Sequence, residues 1–497
     1  MKSPWSLLPL LCLATFSGVL STNIVMTVLV PIAAAFPKVP GVADWTLLAY
    51  SLTAAALSIP AGDWGDRYGL RFLFRIGLLL FVTGSIAGAL APSAGLLIGS
   101  RVLAGCGSAI QAPVALAYLS RLFPGPDRPV AFGYWSASVT VATVLGPVMG
   151  GWIEAVAGWR LVFPVAGIPA LIVLLWLPRL PPCRPLEAAP PMDLRGLAAL
   201  AILPALLLVV LTEGDRWPPV WAVAALLATG LLAAATWRHL RRTPRPAIPL
   251  GELSDDRWWR PSLLQLLIRC LFMATLLLLT TDLQIVRGVP PQQASLALLP
   301  FSLTVGVMAL SSGHLCRLLG TRRLMQSSFA LASAGFLLAL PLSPAGLPPR
   351  AWIGLLAVAL LCGNTAQLSR LAMACFPQQA AMRGAALNTL IINIGLSVGA
   401  VLPAVLMHLL LPPRLAGIPG WPAAAQHGRV MQLPALLEGL AKGSADQAER
   451  WMTELHGAVS GVLSWQAGLS LVLCLVGLLM AGGLLSERQP RPHPGPG

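Results

Sequence analysis

The stretch GDWGDRYG, from Gly62 to Gly69, places two aspartates, one arginine and three glycines within eight residues. An apolar run precedes it at 53–60 and another follows it at 76–91, in a chain where only 10% of residues are charged. Charged, glycine-rich segments between two apolar runs are typical of short loops that join membrane-spanning helices. The pattern therefore predicts a sharp loop at the membrane surface.

The composition of the whole chain indicates the same class of protein. The chain has 497 residues, of which 56% are hydrophobic, and its mean hydropathy is +0.77. Soluble domains are about half apolar and about a quarter charged, so an all-α polytopic membrane protein is the predicted fold class. The net charge of +15 would suit a nucleic-acid binder, but the arginines lie in short clusters between apolar runs, which argues against that partner.

Fourteen apolar segments approach the length of about 20 residues that a membrane span needs. They lie near 8–36, 43–61, 73–92, 95–119, 130–155, 159–178, 195–213, 218–237, 261–286, 293–313, 323–342, 351–369, 384–411 and 457–485. The first runs through Ala35, which is too long for the core of a signal peptide, so we expect it to remain as a span.

Arginines and lysines predict the orientation of these spans. If the N-terminus is cytoplasmic, 22 of the 33 basic residues fall on the cytoplasmic side, nine fall outside and two fall within spans. By the positive-inside rule, both termini are expected in the cytoplasm.

The spans predict two six-helix bundles, at 1–178 and 261–497, joined by a linker at 179–260 that carries two additional spans. A long outer loop is expected at about 412–454, with a short surface helix near 445–456.

The charged stretch has a second, degenerate copy, GHLCRLLGTRR, from Gly313 to Arg323. Each copy follows the second span of its bundle. The matching pairs are Gly62 with Gly313, Gly69 with Gly320, and Arg71 with Arg322. Internal repeats of this kind are typical of secondary transporters.

The first copy has the pattern G-x-x-x-D-R-x-G-x-R, and it resembles the loop signature of the major facilitator superfamily. In that family the loop is a charged latch between the two bundles. The resemblance implies this gating role for Gly62, Asp66, Arg67, Gly69, Arg71, Gly313, Gly320 and Arg322.

The stretch VLGPVMGG at 144–151 resembles the fifth-helix G-P-x-x-G-G motif of antiporters, through Gly146, Pro147, Gly150 and Gly151. Gly146 and Gly150 are one helical turn apart, so we expect a smooth face packed directly against a neighbouring helix. Together with the two central spans, these motifs resemble the 14-helix drug:proton antiporter branch over nearly the whole chain.

The chain departs from that branch in its first helix, where Thr22, followed by Asn23, replaces the usual aspartate. No carboxylate is expected at mid-membrane, and the two deepest charges are both arginines. Intramembrane charges cost about 2.5–3.5 kcal/mol to insert, so they are functional candidates, although each arginine could instead pair helices. This distribution favours a neutral or anionic substrate. The candidate substrate or coupling residues are Thr22, Asn23, Arg101, Gln111, Glu213, Arg269, Asp282, Asn388 and Asn393.

The predicted function is a secondary active exporter of small amphiphilic molecules, drug-like or metabolite, in the bacterial inner membrane. An alternative is a facilitator or importer of organic anions without proton coupling, which the missing first-helix aspartate favours and the G-P-x-x-G-G motif opposes. A receptor or membrane enzyme is a third reading, but no Walker A, H-E-x-x-H or G-x-S-x-G pattern occurs. We therefore expect no enzyme activity, no cofactor and no metal. The expected partners are a small-molecule substrate, the lipid bilayer and protons as the candidate coupling ion.

Overall fold

The computed structural model of the protein describes residues 4–39, 41–182, 193–213, 218–243, 255–289, 291–340, 347–376, 381–416, 418 and 445–483. Nearly all of these residues lie in α-helices, numbered α1–α17 here in chain order. This agrees with the predicted all-α class.

The first half of the chain forms a helical bundle. Its helices are α1 (Leu8–Met26), α2 (Leu29–Ala35), α3 (Val42–Tyr68), α4 (Leu70–Ala89), α5 (Ala94–Leu122), α6 (Arg128–Ala157) and α7 (Val162–Trp176). Its first span is broken into two helices, α1 and α2. The bundle packs around buried aromatic and aliphatic side chains such as Phe74, Phe81 and Phe132.

The second half forms a similar bundle with its own core. Its helices are α10 (Asp256–Thr281), α11 (Pro291–Ala297), α12 (Leu299–Leu319), α13 (Thr321–Ala339), α14 (Pro349–Gly363), α15 (Thr365–Ala374), α16 (Ala381–Ala416) and α17 (Ala445–Gly482). Phe329 and Phe336 are fully buried in this core. Asn364 interrupts the span made by α14 and α15, near its middle.

The linker helices α8 (Leu194–Glu213) and α9 (Pro219–Arg242) pack on the seam between the halves. Leu197 and Leu200 of α8 share a buried cluster with Ile59 of α3 and Leu387 of α16. This additional pair therefore contacts both bundles.

Eleven helices of the described residues are long and apolar enough to cross a membrane. Among the fourteen predicted spans, α3 and α13 fall outside these limits, and the apolar part of α8 that qualifies is short, Leu194–Leu207. The count of fourteen is therefore approximately right but is not confirmed. The separate surface helix predicted at 445–456 is wrong, because those residues begin the long last helix, α17.

The junctions α3–α4 and α12–α13 lie at one end of the molecule, which we call the latch end. Each junction is a single glycine with positive φ, 88° at Gly69 and 76° at Gly320. A residue with a side chain would be strained in this conformation. The latch end is the one predicted to be cytoplasmic.

Candidate functional site: the latch and the intramembrane polar residues

The stretch GDWGDRYG is helical, and the loop predicted over its whole length is wrong. Residues 62–68 form the last two turns of α3, and the chain turns only at Gly69. Gly313 likewise lies inside α12, ahead of the turn at Gly320. Gly62 and Gly313 therefore serve a purpose other than turning the chain.

Gly62 and Gly65 let α3 approach α16 of the other half. A Cβ atom added at Gly62 would lie 2.8 Å from the Cβ of Ala386, and one at Gly65 would lie 2.5 Å from the Cγ of Met382. Both distances are below normal van der Waals contact, so any side chain would separate the two helices.

Gly313 likewise allows α12 to approach α6 of the first half closely. An added Cβ would lie 2.7 Å from both the carbonyl oxygen of Pro129 and the Cα of Val130. The two copies of the repeat thus place one glycine each in matching contacts between the halves, α3 with α16 and α12 with α6.

Asp66, on α3, contacts the N-terminal turn of α16 in the opposite half. Its carboxylate accepts hydrogen bonds from the backbone N–H groups of Met382 and Arg383, each at 3.3 Å, in the first turn of α16. The guanidinium groups of Arg383 and Arg121 lie 3.8 and 4.0 Å from it. A negative charge at a helix N-terminus is stabilised by the helix dipole, so this contact holds the halves together. Asp66 therefore caps the N-terminus of α16 and also lies close to two cationic side chains.

Asp63, one turn before Asp66, completes this cluster. Its carboxylate accepts from Arg67 of the same helix at 2.5 Å and from Arg383 of α16 at 2.9 Å. Asp63 and Asp66 are each 3% exposed, so these are buried ionic contacts. Arg71 is half-buried, and the described partners of Asp66 are Arg383 and Arg121 rather than Arg71.

The second copy has the opposite charge at the matching place. Arg317 stands where the first copy has Asp66, and it donates to the carbonyl oxygen of Pro126 at 2.7 Å and to Asp127 at 3.1 Å. These acceptors directly precede α6, which begins at Arg128. This contact is largely exposed, and Arg322 is also exposed.

Further hydrogen bonds between the halves lie at the same end. Gln367 of α15 donates to the carbonyl oxygen of Pro129 at 3.2 Å, and Ser120 of α5 contacts the sulfur of Met373 at 3.8 Å. The protein is therefore closed at its latch end.

The glycine face of α6 packs on the first span, as its spacing predicts. An added Cβ at Gly146 would lie 2.5 Å from the Cβ of Asn23, and one at Gly150 would lie 2.7 Å from the carbonyl oxygen of Ile24. At Gly151 an added Cβ meets nothing within 4 Å. Pro147 lies within a continuous α6.

Arg101 lies among helices of the first bundle and is fully paired. Its Nε donates to the carbonyl oxygen of Thr46 at 3.1 Å, and its Nη1 donates to the hydroxyl of Ser21 at 2.9 Å. The ring of Tyr50 lies 4.4 Å from the guanidinium carbon. With 1% exposure, Arg101 is placed to hold α1, α3 and α5 together, which is the structural alternative raised by the sequence.

Arg269 lies in the second bundle and is only half-buried. One terminal nitrogen donates to the hydroxyl of Thr365 at 3.0 Å, where α15 begins. Its Nε is buried and has no partner among the described residues. Arg269 and Arg101 therefore differ in how fully their donors are used.

A polar chain connects the three helices around Arg269. Gln265 of α10 donates to Ser369 of α15 at 2.9 Å, and Asn388 of α16 donates to the same hydroxyl at 3.3 Å. Asn393, on the same helix as Asn388, is half-buried.

The remaining candidates of the first bundle bond within it. The hydroxyl of Thr22 donates to Gly18 at 3.4 Å, and the side chain of Asn23 donates to Val19 at 2.8 Å, both within α1. Gln111 is buried and accepts from Ser17 at 3.1 Å, while its amide nitrogen has no partner among the described residues.

Asp282 is engaged in local structure at the far end of α10. It is fully buried, accepts from Arg287 at 2.9 Å and accepts from the backbone N–H of Leu347 at 2.8 Å. Both partners of this carboxylate thus belong to the second bundle. The side chain of Glu213, at the end of α8, lies outside what the structure describes.

The sequence matches a family model described as Major Facilitator Superfamily over residues 11–400. The chain belongs to the Major Facilitator Superfamily. The family indicated by the pattern G-x-x-x-D-R-x-G-x-R in α3 is thus confirmed.

Curated members of the Major Facilitator Superfamily are similar to this chain over part of their length. The drug efflux pump JefA of Mycobacterium tuberculosis is 31% identical over 308 residues, which are 61% of this chain and 60% of that protein. The multidrug efflux pump LfrA of Mycolicibacterium smegmatis is 30% identical over 60% of this chain and 59% of its own. The methyl viologen resistance protein SmvA of Salmonella typhimurium is 29% identical over 73% of this chain and 74% of its own. The match thus spans about 60% of the length of the first two relatives.

Solved Major Facilitator Superfamily structures share the fold. The human organic anion transporter MFSD10 has a TM-score of 0.61 at 16% identity, covering 95% of this chain and all of that chain. The proton:xylose symporter XylE has a TM-score of 0.57 at 15% identity, covering 96% of each chain. At these identities the likeness concerns the fold alone.

Three contact residues were missed by sequence reasoning: Asp63, Arg383 and Arg317. Asp63 lies one turn before Asp66, so helical spacing would have placed both carboxylates on one face. Arg317 could have been found by aligning the two copies of the repeat. Nothing in the sequence pairs Arg383 with Asp63, because the two are far apart in the chain and meet only when the halves close.

Proposed function

We propose that this protein is a secondary active exporter of small amphiphilic, drug-like molecules that works by alternating access. The observation that carries the proposal is the way the halves meet. Each half has its own core, and the latch end closes through glycine contacts and a small set of polar contacts. The names of JefA and LfrA as drug efflux pumps support the substrate class.

In this mechanism the closed latch end and the opposite end open in turn. Opening the latch end would separate α3 from α16 and α12 from α6, and the carboxylate of Asp66 would leave the first turn of α16. The two seams are related by the internal repeat, which suits rocking of one bundle against the other.

A second candidate is a facilitator or importer of organic anions without proton coupling. The observation that favours it is the position of the acids. Among the described residues, Asp63 and Asp66 lie at the latch end, and Asp282 lies at the far end of α10. Thr22 and Asn23 of α1 are half-buried and carry no charge.

We also place the chain in the 14-helix branch of the family and in the bacterial inner membrane, with both termini cytoplasmic. The excess of arginines on the latch side supports this orientation, and the bacterial relatives support the membrane. The helices α8 and α9 are the additional pair of the branch.

The test is transport by the purified protein in liposomes, with matched cationic, neutral and anionic dyes and an imposed pH gradient. Export predicts dye movement that depends on the protein and is driven by an ion gradient. Movement that only equalises dye concentrations would favour the facilitator, and no movement of any dye would contradict both.

A further inference from the structure

The two intramembrane arginines have different environments. All three guanidinium nitrogens of Arg101 donate within the first bundle, to Thr46 and Ser21. Arg269 uses one nitrogen on Thr365, and its buried Nε has no partner among the described residues. A donor left unpaired away from water is costly, so an acceptor placed beside this nitrogen would be stabilising.

Arg269 also lies on a surface that is partly open. Leu266, Arg269 and Met273 are half-buried and follow one another at helical spacing along α10. This row lies on an element that packs against α15 and α16, and these two helices contact the first half at the latch end through Met373 and Met382. A charged head group bound at Arg269 would therefore have apolar side chains one turn away on each side.

No described carboxylate is placed to neutralise Arg269. Asp282, directly after the end of the same helix, is 13 positions away, which is about 20 Å along a helix, and it already accepts from Arg287. A positive charge at mid-membrane without an acidic partner attracts a negative group because the surroundings screen it poorly.

Neighbouring side chains hold the guanidinium in position. Thr365 accepts from Arg269 and itself donates to the carbonyl oxygen of Cys362, so its acceptor faces the arginine. The chain of Gln265, Ser369 and Asn388 ties α10, α15 and α16 together one turn closer to the latch end.

We infer that Arg269 binds the anionic head, a carboxylate or sulfonate, of an amphiphilic substrate whose apolar body lies along Leu266 and Met273. The remaining guanidinium donors supply charge-assisted hydrogen bonds to the head group. Thr365 is a positioning residue, and Arg101 takes no part in binding. This inference rests on the proposed function, since it assigns a substrate class to the same transporter.

Binding of matched fluorescent probes to the purified protein in lipid nanodiscs tests the inference. Pyrenebutyrate, pyrenebutanol and pyrenebutyl-trimethylammonium share an apolar body and differ in head-group charge. We expect the wild-type protein to bind pyrenebutyrate about tenfold more tightly than the cationic probe, after subtraction of binding to empty nanodiscs. Arg269→Gln should abolish this preference, and Arg269→Lys should keep part of it because a lysine retains the charge but not the planar donor group.

Arg350→Gln is the matched control, because Arg350 is exposed at the start of α14 and its loss changes the net charge equally. It should keep the full preference. Equal preference in wild type and Arg269→Gln, or no anion preference in the wild type, would overturn the inference. The melting temperature without probe checks folding, and the lysine variant gives a second readout if the glutamine variant unfolds.

Transport of the same probes in liposomes separates this inference from the proposed function. Anion binding that depends on Arg269, without transport, supports the site and contradicts export. Transport that ignores head-group charge and Arg269 supports the exporter and contradicts the site.

Discussion

Asp66 stabilises the closed latch end through two kinds of contact. It accepts from two backbone N–H groups of α16 and lies near two guanidinium groups, while being almost fully buried. Removing it would leave the first turn of α16 without its acceptor and Arg383 with less negative charge nearby. The contact joins the two halves, so its loss acts on the closed state rather than on either bundle alone.

We expect Asp66→Ala to weaken the closed latch end by about 1–3 kcal/mol and to slow transport, while membrane insertion stays normal. The measurements are initial transport rate at equal expression and labelling of a cysteine introduced at the latch end. Asp256→Ala is the control, because Asp256 pairs with Arg260 on an exposed surface within one half. Unchanged rate and labelling in Asp66→Ala would contradict this account of the latch.

Gly150 and Gly151 are neighbours with opposite surroundings, which makes them a matched pair. Gly150→Leu should overpack the contact with α1 and destabilise the protein by about 1–3 kcal/mol, whereas Gly151→Leu points into open space and should have little effect. Heat stability of the detergent-solubilised protein and transport activity test the pair. If both variants resemble wild type, the face of Gly150 is not a tight helix contact.

At the scale of elements, the two copies of the internal repeat share their glycine positions but carry opposite charges at the matching contact. Each copy ends a helix with a positive-φ glycine and places an earlier glycine against a helix start of the other half. The acid of the first copy is replaced by Arg317 in the second, and its acceptors precede α6. Exposed ion pairs stabilise by about 0–1 kcal/mol, so the second contact is expected to be the weaker one.

Gly313→Val should separate α12 from α6 and impair transport as strongly as Gly62→Val, which separates α3 from α16. Gly306→Val is the control on the same helix, because an added Cβ there would make an ordinary contact of 3.7 Å with Thr140. Transport rates of the three variants at equal expression provide the measurement. A Gly313→Val protein as active as Gly306→Val would show that the second seam need not close tightly.

At the scale of the whole molecule, the position of charge decides between ion-coupled and uncoupled transport. The first span carries Thr22 and Asn23 where the branch has an acid, and Asp282 is engaged by Arg287 and Leu347. A proton-coupled cycle needs a group that gains and loses a proton as the molecule changes state, and neither threonine nor asparagine titrates. We therefore expect coupling to protons through the first span to be weak.

Thr22→Asp should strengthen the dependence of transport on a pH gradient and shift preference towards cations, because it adds a titratable negative charge to α1. Uptake of matched cationic and anionic dyes with and without a pH gradient measures both effects. Thr22→Asn, which is polar but uncharged, is the control. Strong proton-coupled export of cations by the wild type would show that the titrating group lies elsewhere.

Most helices could be predicted because hydrophobic length is a local property of the chain. Predicted spans such as 95–119 and 130–155 agree with α5 and α6 within a few residues. Charged stretches were harder, since GDWGDRYG has the composition of a loop but continues α3 to Tyr68. Its acids are tolerated in a helix because Arg67, Arg121 and Arg383 surround them, and two of these come from other helices.

The sequence by itself determined the membrane class, because apolar length is a local property of the chain. The two-bundle division and the latch role are predictions that rest on the glycine spacing and charge pattern of the repeat. Only the tertiary structure decided what these residues contact. Asp66 contacts α16, and Gly150 is packed while Gly151 is open. Arg101 is paired, while the Nε of Arg269 has no partner within the part of the chain that the structure describes. The physical reason is that such partners are distant in sequence, so burial and pairing depend on which helix faces come together.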